Sequence, residues 1–469
     1  MEKQTSLLDL MNGNQDTEPP VAVESITVPE HTRKKRGRKP IPKDIPRKDI
    51  IHDLSEDEKV CPCGTALSSI GEEVSEKLDY VPASLVVERH IRLKYACRSC
   101  EGLESTQGAV RIAPLPAQLI PQGIVTPGLL AHIITSKFVD GLPFYRQEKQ
   151  FKRLGLDISR STMVSWAMSA ARACEPLRGL LKQEILANDI INIDETTVQV
   201  MNEPGRSNTS KSYMWVFLGR DPLHSTVLYS YHASRGSQAL HFLKDHKGYI
   251  QSDGYSGYDE LGSSPGITHV GCLAHIRRKF ADVIKLSKRD KKKGGTAQAV
   301  LDLIGQVYLL EKSFQAQKLK PDRIREERQK QSMPILNRIK SILDERKNTS
   351  PPKSKLGSAI NYALNQWERV IRYVQDGRLL PDNNLVENAI RPFAVGRKNW
   401  LFNGSPNGAR SGALFYSIIE TAKINNLEPY AYLRHLFGNL PLAVTDSDIK
   451  NLMPQYIDKS LIPASKQNP

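Results

Sequence analysis

The sequence predicts a multidomain α/β protein: a mixed-sheet core with a helical insertion, preceded by a small cysteine-bearing module and a helical region. Three observations carry this expectation. A chain of 469 residues exceeds what one compact core normally organises. Four of its six cysteines fall in two close pairs, Cys61/Cys63 and Cys97/Cys100. Strand-like runs crowd residues 189–270, whereas 124–172 and 282–380 repeat with a helical period.

The net charge of +15 and a pI near 9.4 favour a polyanionic partner, most simply nucleic acid. No apolar run approaches the length of a membrane span and no basic-then-apolar leader opens the sequence, so the expectation is a cytoplasmic protein without a membrane partner. Six unevenly spaced cysteines are too few for a disulfide framework. Cys174 and Cys272 stand apart and read as buried thiols.

Residues 1–55 form a basic arm rich in Pro, Lys and Arg. Within it, "RKKRGRKP" offers Arg36, Arg38 and Lys39 to a narrow minor groove. Residues 56–110 contain "CPCG" and "YACRSC", joined by the alternating "LVVERHIRLKYAC". Four thiolates suit a tetrahedral, structural Zn2+, with no open position for catalysis, although Cys61-Pro62-Cys63 is one residue shorter than the usual knuckle. In 115–180, a helix over Tyr145–Leu154, the turn "GLDIS" and a helix over Ser161–Ala170 make a helix-turn-helix-like region. Gly155 suits a helix end, Ser159 or Ser161 a cap, and Arg160, Ser161 and Thr162 the groove-facing start.

Residues 185–405 read as the core. "DIINIDETTVQV", "SYMWVFLGRD" and "STVLYSYHAS" are strands in a meander, followed by the helical "SQALHFLKDH" and a short strand in "GYIQSDGYSGYDEL". "THVGCLAHIRRKF" adds a strand and a basic helix whose Arg277, Arg278 and Lys279 suit a DNA backbone. Its Cys272 and His275 have zinc-like spacing, but with no second pair nearby they are not read as a metal site. The insertion at about 282–380 is polar and helical, with "KRDKKKGG" as a loop. "PDNNLVENAIRPF" resumes apolar spacing from an Asn/Asp cap, and 406–469 ends in two packed helices, the first broken at Asn425 and Asn426 and the second opened by Pro429.

Asp194 lies at the end of the first core strand, Asp253 at the end of a later one, and Glu387 sits on a downstream helix. Acids so placed converge at one sheet edge and suit Mg2+ or Mn2+ rather than zinc. Two such ions about 4 Å apart serve in-line displacement at phosphorus. Glu195 is an alternative to Asp194, and strand parity does not separate them; Glu420 rivals Glu387, which has Asn384 and Arg391 on its own helical face. Arg391, Arg397, Lys398 and Arg410 suit phosphate, and Trp400 an unpaired base. No Walker-type phosphate loop is present.

These stretches, with "IDETTVQV", "QSDGYSGYDEL", "GCLAHIRRKF", "NNLVENAIRPFAVGRKNWLF" and the tail "GARSGALFYSIIETAKINNLEPYAYLRHLF", resemble the insertion sequence 66 family of bacterial transposases, in the family's order. The resemblance implies a ribonuclease H-like core with an acidic triad at Asp194, Asp253 and Glu387, favouring Asp194 over Glu195. It also implies Zn2+ at Cys61, Cys63, Cys97 and Cys100, and DNA binding by the N-terminal half. The expected function is DNA strand cleavage and transfer. Expected partners are the element's terminal repeats, target DNA and further copies of the chain on DNA; a need for accessory element-encoded proteins stays open. A non-catalytic DNA-binding repressor and a metal-dependent nuclease are the alternatives.

Overall fold

The computed structural model describes residues 86–96, 110–112, 114, 116–286 and 295–462. The expected basic arm, with Arg36, Arg38 and Lys39, and the four paired cysteines lie outside the described residues, as does most of the "KRDKKKGG" loop.

Strands β1 (Lys94–Ala96) and β2 (Val110–Ile112) pair antiparallel. Four helices follow: α1 (Pro127–Phe138), α2 (Phe144–Arg153), α3 (Arg160–Ala173) and α4 (Glu175–Ala187). Their starts are written locally. Pro127 opens α1 behind Thr126, whose side chain accepts from Leu129 N–H, and Ser159 caps α3 by accepting from Thr162 N–H. Gly155 takes a positive φ of 81° just after α2, where only a residue without Cβ is unstrained. The α2–α3 pair thus lies within a residue of its expected starts, and α3 runs three residues further than expected.

Strands β3 (Ile190–Gln199), β4 (Lys211–Gly219) and β5 (Thr226–His232) form the antiparallel meander. Strand β6 (Gly248–Gln251) then pairs parallel to β3 on its other side, and β7 (Ile267–Val270) parallel to β6, with the short α5 (Asp259–Gly262) between them. The order is β5-β4-β3-β6-β7, so β3 is the central strand. Met214–Leu218 of β4 are buried without alternation because helices cover both faces. The segment "SQALHFL", expected to be helical, is a 3-10 helix.

After β7 come α6 (Leu273–Leu286), α7 (Thr296–Ala316), α8 (Pro321–Glu327), α9 (Met333–Lys347) and α10 (Lys355–Val370). The chain returns in α11 (Asn384–Trp400), α12 (Pro406–Ile424), α13 (Pro429–Asn439) and α14 (Asp446–Asn451). Helix α11 runs through Pro392 and takes in "VGRKNW", so Arg397, Lys398 and Trp400 stand on a helix.

Two apolar clusters flank the sheet. One joins α1, α3, α4, β3–β5, α11, α12 and α13; the other joins β7, α6, α7, α9 and α10. Both the helical region before the sheet and the C-terminal helices therefore share the core of the meander, so the boundaries drawn near 180 and 405 do not separate cores. Helix α12 is buried on nearly every side, and its Ser417 and Thr421 accept hydrogen bonds from Tyr229 N–H and Val227 N–H of β5. Among the described residues no helix is long and apolar enough to cross a membrane.

Candidate active site

The parallel ladder between β3 and β6 ends at the pair Asn192↔Gln251. Beyond it the strands part, and Asp194 and Asp253 each lie two residues further on. Crevices of this kind, at the carboxyl ends of parallel strands, are where open α/β sheets receive ligands. Asp194 is not at a strand end, as expected, but in the middle of β3, which runs on to Gln199 paired with β4. Gly254, directly after Asp253, has the Tyr362 hydroxyl 2.6 Å from where a Cβ would stand, so α10 closes tightly over this turn.

Glu387 reaches the crevice from the first turn of α11. Burial, then the charge of Glu195, followed by those of Asp253 and Glu387, push the Asp194 carboxyl up to about 8, against one backbone N–H bond that favours the anion. Asp194 Oδ1 accepts from Glu195 N–H at 2.9 Å and Asp253 Oδ1 from Tyr255 N–H at 3.0 Å. Glu387 Oε1 is buried without a hydrogen-bond partner.

Strand alternation sends Glu195 to the opposite face. There it accepts from Arg235 Nε at 2.6 Å and from the Tyr258 hydroxyl, and its side chain is only 2% exposed. Burial raises its pKa, and those two donors oppose the rise. Glu195 is thus engaged by Arg235 and Tyr258, a difference from Asp194 that strand parity alone did not supply. Glu420, the rival to Glu387, is buried within α12 and paired with Lys423 at 2.9 Å.

The companions of Glu387 differ from those expected. Arg391 is exposed one turn along, and the closest partners come from α6: the Arg278 guanidinium at 3.5 Å and the His275 imidazole, its Nδ1 at 3.7 Å. Burial holds His275 below its usual range, with Glu387 acting in the other direction. Cys272, His275 and Glu387 each bring a donor atom within 4.8 Å of the others. "CLAHIRRKF" therefore gains a third metal-donor type from 112 residues past His275, which spacing alone did not reveal. Arg277 is exposed on α6, and Lys279 lies 5.3 Å over the Tyr362 ring.

The remaining candidates lie apart from this crevice in role. Arg397 donates to Thr196 Oγ1 at 3.0 Å and to Thr197, tying α11 to the outer half of β3. With Lys398, Lys211, Gln199 and Leu401 it lines a groove of 520 Å³. Trp400 packs edge-on against Phe393 at 5.5 Å, with the Lys137 ammonium 5.7 Å over its ring, so its contacts are to its own chain. Burial draws Lys137 down to about 8. Arg160 and Ser161 are exposed at the start of α3; Arg160 N–H donates to Glu148 at 2.9 Å, and the Ser161 hydroxyl meets Ser159 at 2.7 Å. Cys174 and Cys272 are buried free thiols, as expected.

A family model described as the transposase IS66 family matches residues 122–411, which include all three acids. Two more match beside it: the zinc-finger binding domain of transposase IS66 over 58–101, spanning the four paired cysteines, and the IS66 C-terminal element over 417–455. Among curated proteins, the uncharacterised protein y4jD of Sinorhizobium fredii is 34% identical over 428 residues, covering 88% of this chain and 81% of that one. The uncharacterised protein y4hP of the same organism is 30% identical over 446 residues, covering 90% and 78%. With matches in family order across nearly its whole length, the chain belongs to the IS66 family of transposases.

Proposed function

We propose that this protein is a DNA transposase of the acidic-triad type, with a ribonuclease H-like core in which Asp194, Asp253 and Glu387 hold Mg2+ or Mn2+. The observation that carries the reading is that Asp253 and Glu387 both act on the Asp194 carboxyl, after burial and the charge of Glu195, at the crevice where β3 and β6 part. Three carboxylates in a half-buried place repel one another, and a divalent cation offsets both the repulsion and the desolvation. An all-oxygen donor set fits a hard ion. The sheet order, a three-strand meander continued by two parallel strands, supports the fold assignment.

Bound there, divalent cations supply activation of an attacking oxygen and stabilisation of a leaving oxygen at phosphorus. The chain's own residues do the rest. Asp194 presents its oxygens from β3 and Asp253 from the turn just past the neighbouring β6, and Glu387 closes the set from α11. Arg278 pairs with the Glu387 carboxylate from α6, with the His275 ring beside it. Water attacks in the cleavage step, hydrolysing one phosphodiester to a 3′ hydroxyl and a 5′ phosphate. The freed 3′ hydroxyl then attacks target DNA, where one phosphodiester forms as another breaks and a target 3′ hydroxyl leaves, so joining consumes no nucleotide cofactor. The groove lined by Arg397, Lys398 and Lys211 offers positive charge to DNA beside this crevice. Four cysteines at 61, 63, 97 and 100 supply a donor set suited to structural Zn2+, in the segment matched by the family's zinc-finger model. The α2–α3 pair then serves recognition of the terminal repeats, with Arg160 and Ser161 facing DNA, and Arg36, Arg38 and Lys39 extend the contact. Copies of the chain assemble on paired element ends.

The test is a cleavage and strand-transfer assay on labelled element-end DNA with Mg2+. Wild type is expected to nick and join, while Asp194→Asn, Asp253→Asn and Glu387→Gln bind the DNA and do neither. Nicking without joining would favour a nuclease; binding with neither activity in wild type would favour a repressor.

A further inference from the structure

Beneath the three acids lies a cluster of three buried amides, Asn192, Gln251 and Asn383, at 0%, 0% and 1% exposure. Each precedes one acid closely in the chain, Asn192 within β3, Gln251 as the last residue of β6 and Asn383 as the N-cap of α11. Asn192 is two residues before Asp194 on β3, Gln251 is two before Asp253, and Asn383 is four before Glu387. Two residues along β3 return Asn192 and Asp194 to the same face. Glu387 N–H donates to Asn383 O at 3.2 Å one helical turn on, and Gln251 pairs with Asn192 where the ladder ends, so the amides sit one step before the carboxylates.

The three are bonded to one another. Asn192 Nδ2 donates to Gln251 Oε1 at 3.1 Å and to Asn383 Oδ1 at 2.8 Å. Gln251 Nε2 donates to Leu380 O at 2.7 Å, and Asn383 Nδ2 to Ile193 O at 2.8 Å. Those outward bonds orient both acceptors toward Asn192, so the direction of donation is determined. Asn383 N–H also donates to Cys272 Sγ at 3.3 Å, which ties in the start of α6. Asn383 sits at the N-cap position of α11, yet its side chain makes no cap bond there; Asp382 accepts from Asn384 N–H instead. An asparagine at this position ordinarily caps its own helix. Here it is spent on β3.

We propose that Asn192, Gln251 and Asn383 are positioning residues that set the spacing of Asp194, Asp253 and Glu387. The proposal rests on the acid reading above. Stability alone does not call for such a cluster, since apolar groups of similar shape replace bonded polar pairs at little net cost. Hydrogen bonds add direction and fixed length, and a metal site needs its ligands held within about 0.5 Å. Neutral amides meet that need without placing a fourth negative charge behind three carboxylates.

The test compares Asn192→Asp, which keeps the shape but removes both N–H donors, and Asn383→Ser with wild type and Asp194→Asn. Mn2+ binding is read by the loss of the free-ion electron paramagnetic resonance signal, cleavage by its half-saturating Mn2+, and DNA affinity and melting temperature separately. Both amide variants are expected to raise the half-saturating Mn2+ and the Mn2+ dissociation constant about tenfold, the scale typical of residues that orient metal ligands. End-DNA affinity stays within about twofold, and high Mn2+ restores cleavage. Unchanged Mn2+ binding in a folded amide variant overturns the proposal, whether cleavage falls or not, and two variants letting one fail to fold. Mn2+ binding that is equally tight in wild type and Asp194→Asn instead overturns the acid reading, and this proposal with it.

Discussion

Glu195 and Arg235 form an ion pair on the face of β3 opposite Asp194, the Arg235 Nε donating to Glu195 Oε1 at 2.6 Å. Adjacent carboxylates on one strand therefore have separate work. Glu195 joins β3 to the segment after β5 and to Tyr258, whereas Asp194 faces the crevice. Glu195→Ala strands the buried Tyr258 hydroxyl and is expected to cost about 1–3 kcal/mol in urea unfolding. Its effect on Mn2+ affinity should be small beside that of Asp194→Asn.

The raised Asp194 carboxyl makes a signed prediction. A group whose folded pKa, about 8, exceeds its ordinary value of 3.8 binds more protons folded than unfolded between those values. Metal-free protein should therefore lose stability as pH rises through that window. Asp194→Asn should flatten the slope, and so should excess Mg2+, because each removes the cost of the uncompensated anion. Denaturant midpoints at a series of pH values, with and without Mg2+, read this directly.

Within the helical insertion, Arg328 is fully buried and uses its guanidinium on Glu311 at 2.8 and 2.7 Å and on the carbonyls of Tyr373, Asp376 and Leu379 at 2.9 Å each. Removing one member of such a pair leaves a buried charge unmatched. Glu311→Ala is expected to destabilise by about 3–5 kcal/mol while sparing Mn2+ affinity per folded molecule. Thermal unfolding alongside Mn2+ titration separates the two effects.

Lys211 and Lys398 are exposed on the groove that Arg397 helps to form. The double variant Lys211→Ala, Lys398→Ala should weaken DNA binding about equally across sequences and lower the salt-dependence slope by about 2, one for each lost phosphate contact. Binding measured across a salt series checks this. A loss confined to one sequence would mark base readout instead.

Much of this arrangement was legible in the sequence, for local reasons. Alternation found the meander, Pro429 opened a helix, Gly155 closed one, and Asn425 with Asn426 ended α12. What escaped was tertiary. The continuation of β3 past Asp194 depends on pairing with β4, since "DETT" has no apolar alternation of its own. Helix α11 persists through "VGRKNW" because Phe393 and Gly396 are buried against the core. His275 and Arg278 reach Glu387 across more than a hundred residues, and Asn192, Gln251 and Asn383 are polar residues whose meaning exists only once three elements meet. Trp400 looked available to a base, but folding surrounds it with Phe393 and Lys137.

The central claim, that Asp194, Asp253 and Glu387 hold one cation site, is tested most directly by replacing Mg2+ with Fe2+ and adding ascorbate, so that radicals formed at the bound ion cut the nearby polypeptide. The account predicts scission close to 194, 253 and 387 together, suppressed by excess Mg2+ and abolished at all three places by Asp194→Asn. Scission confined to the neighbourhood of Cys272 and His275, or cuts near the three acids that persist in Asp194→Asn, would contradict it.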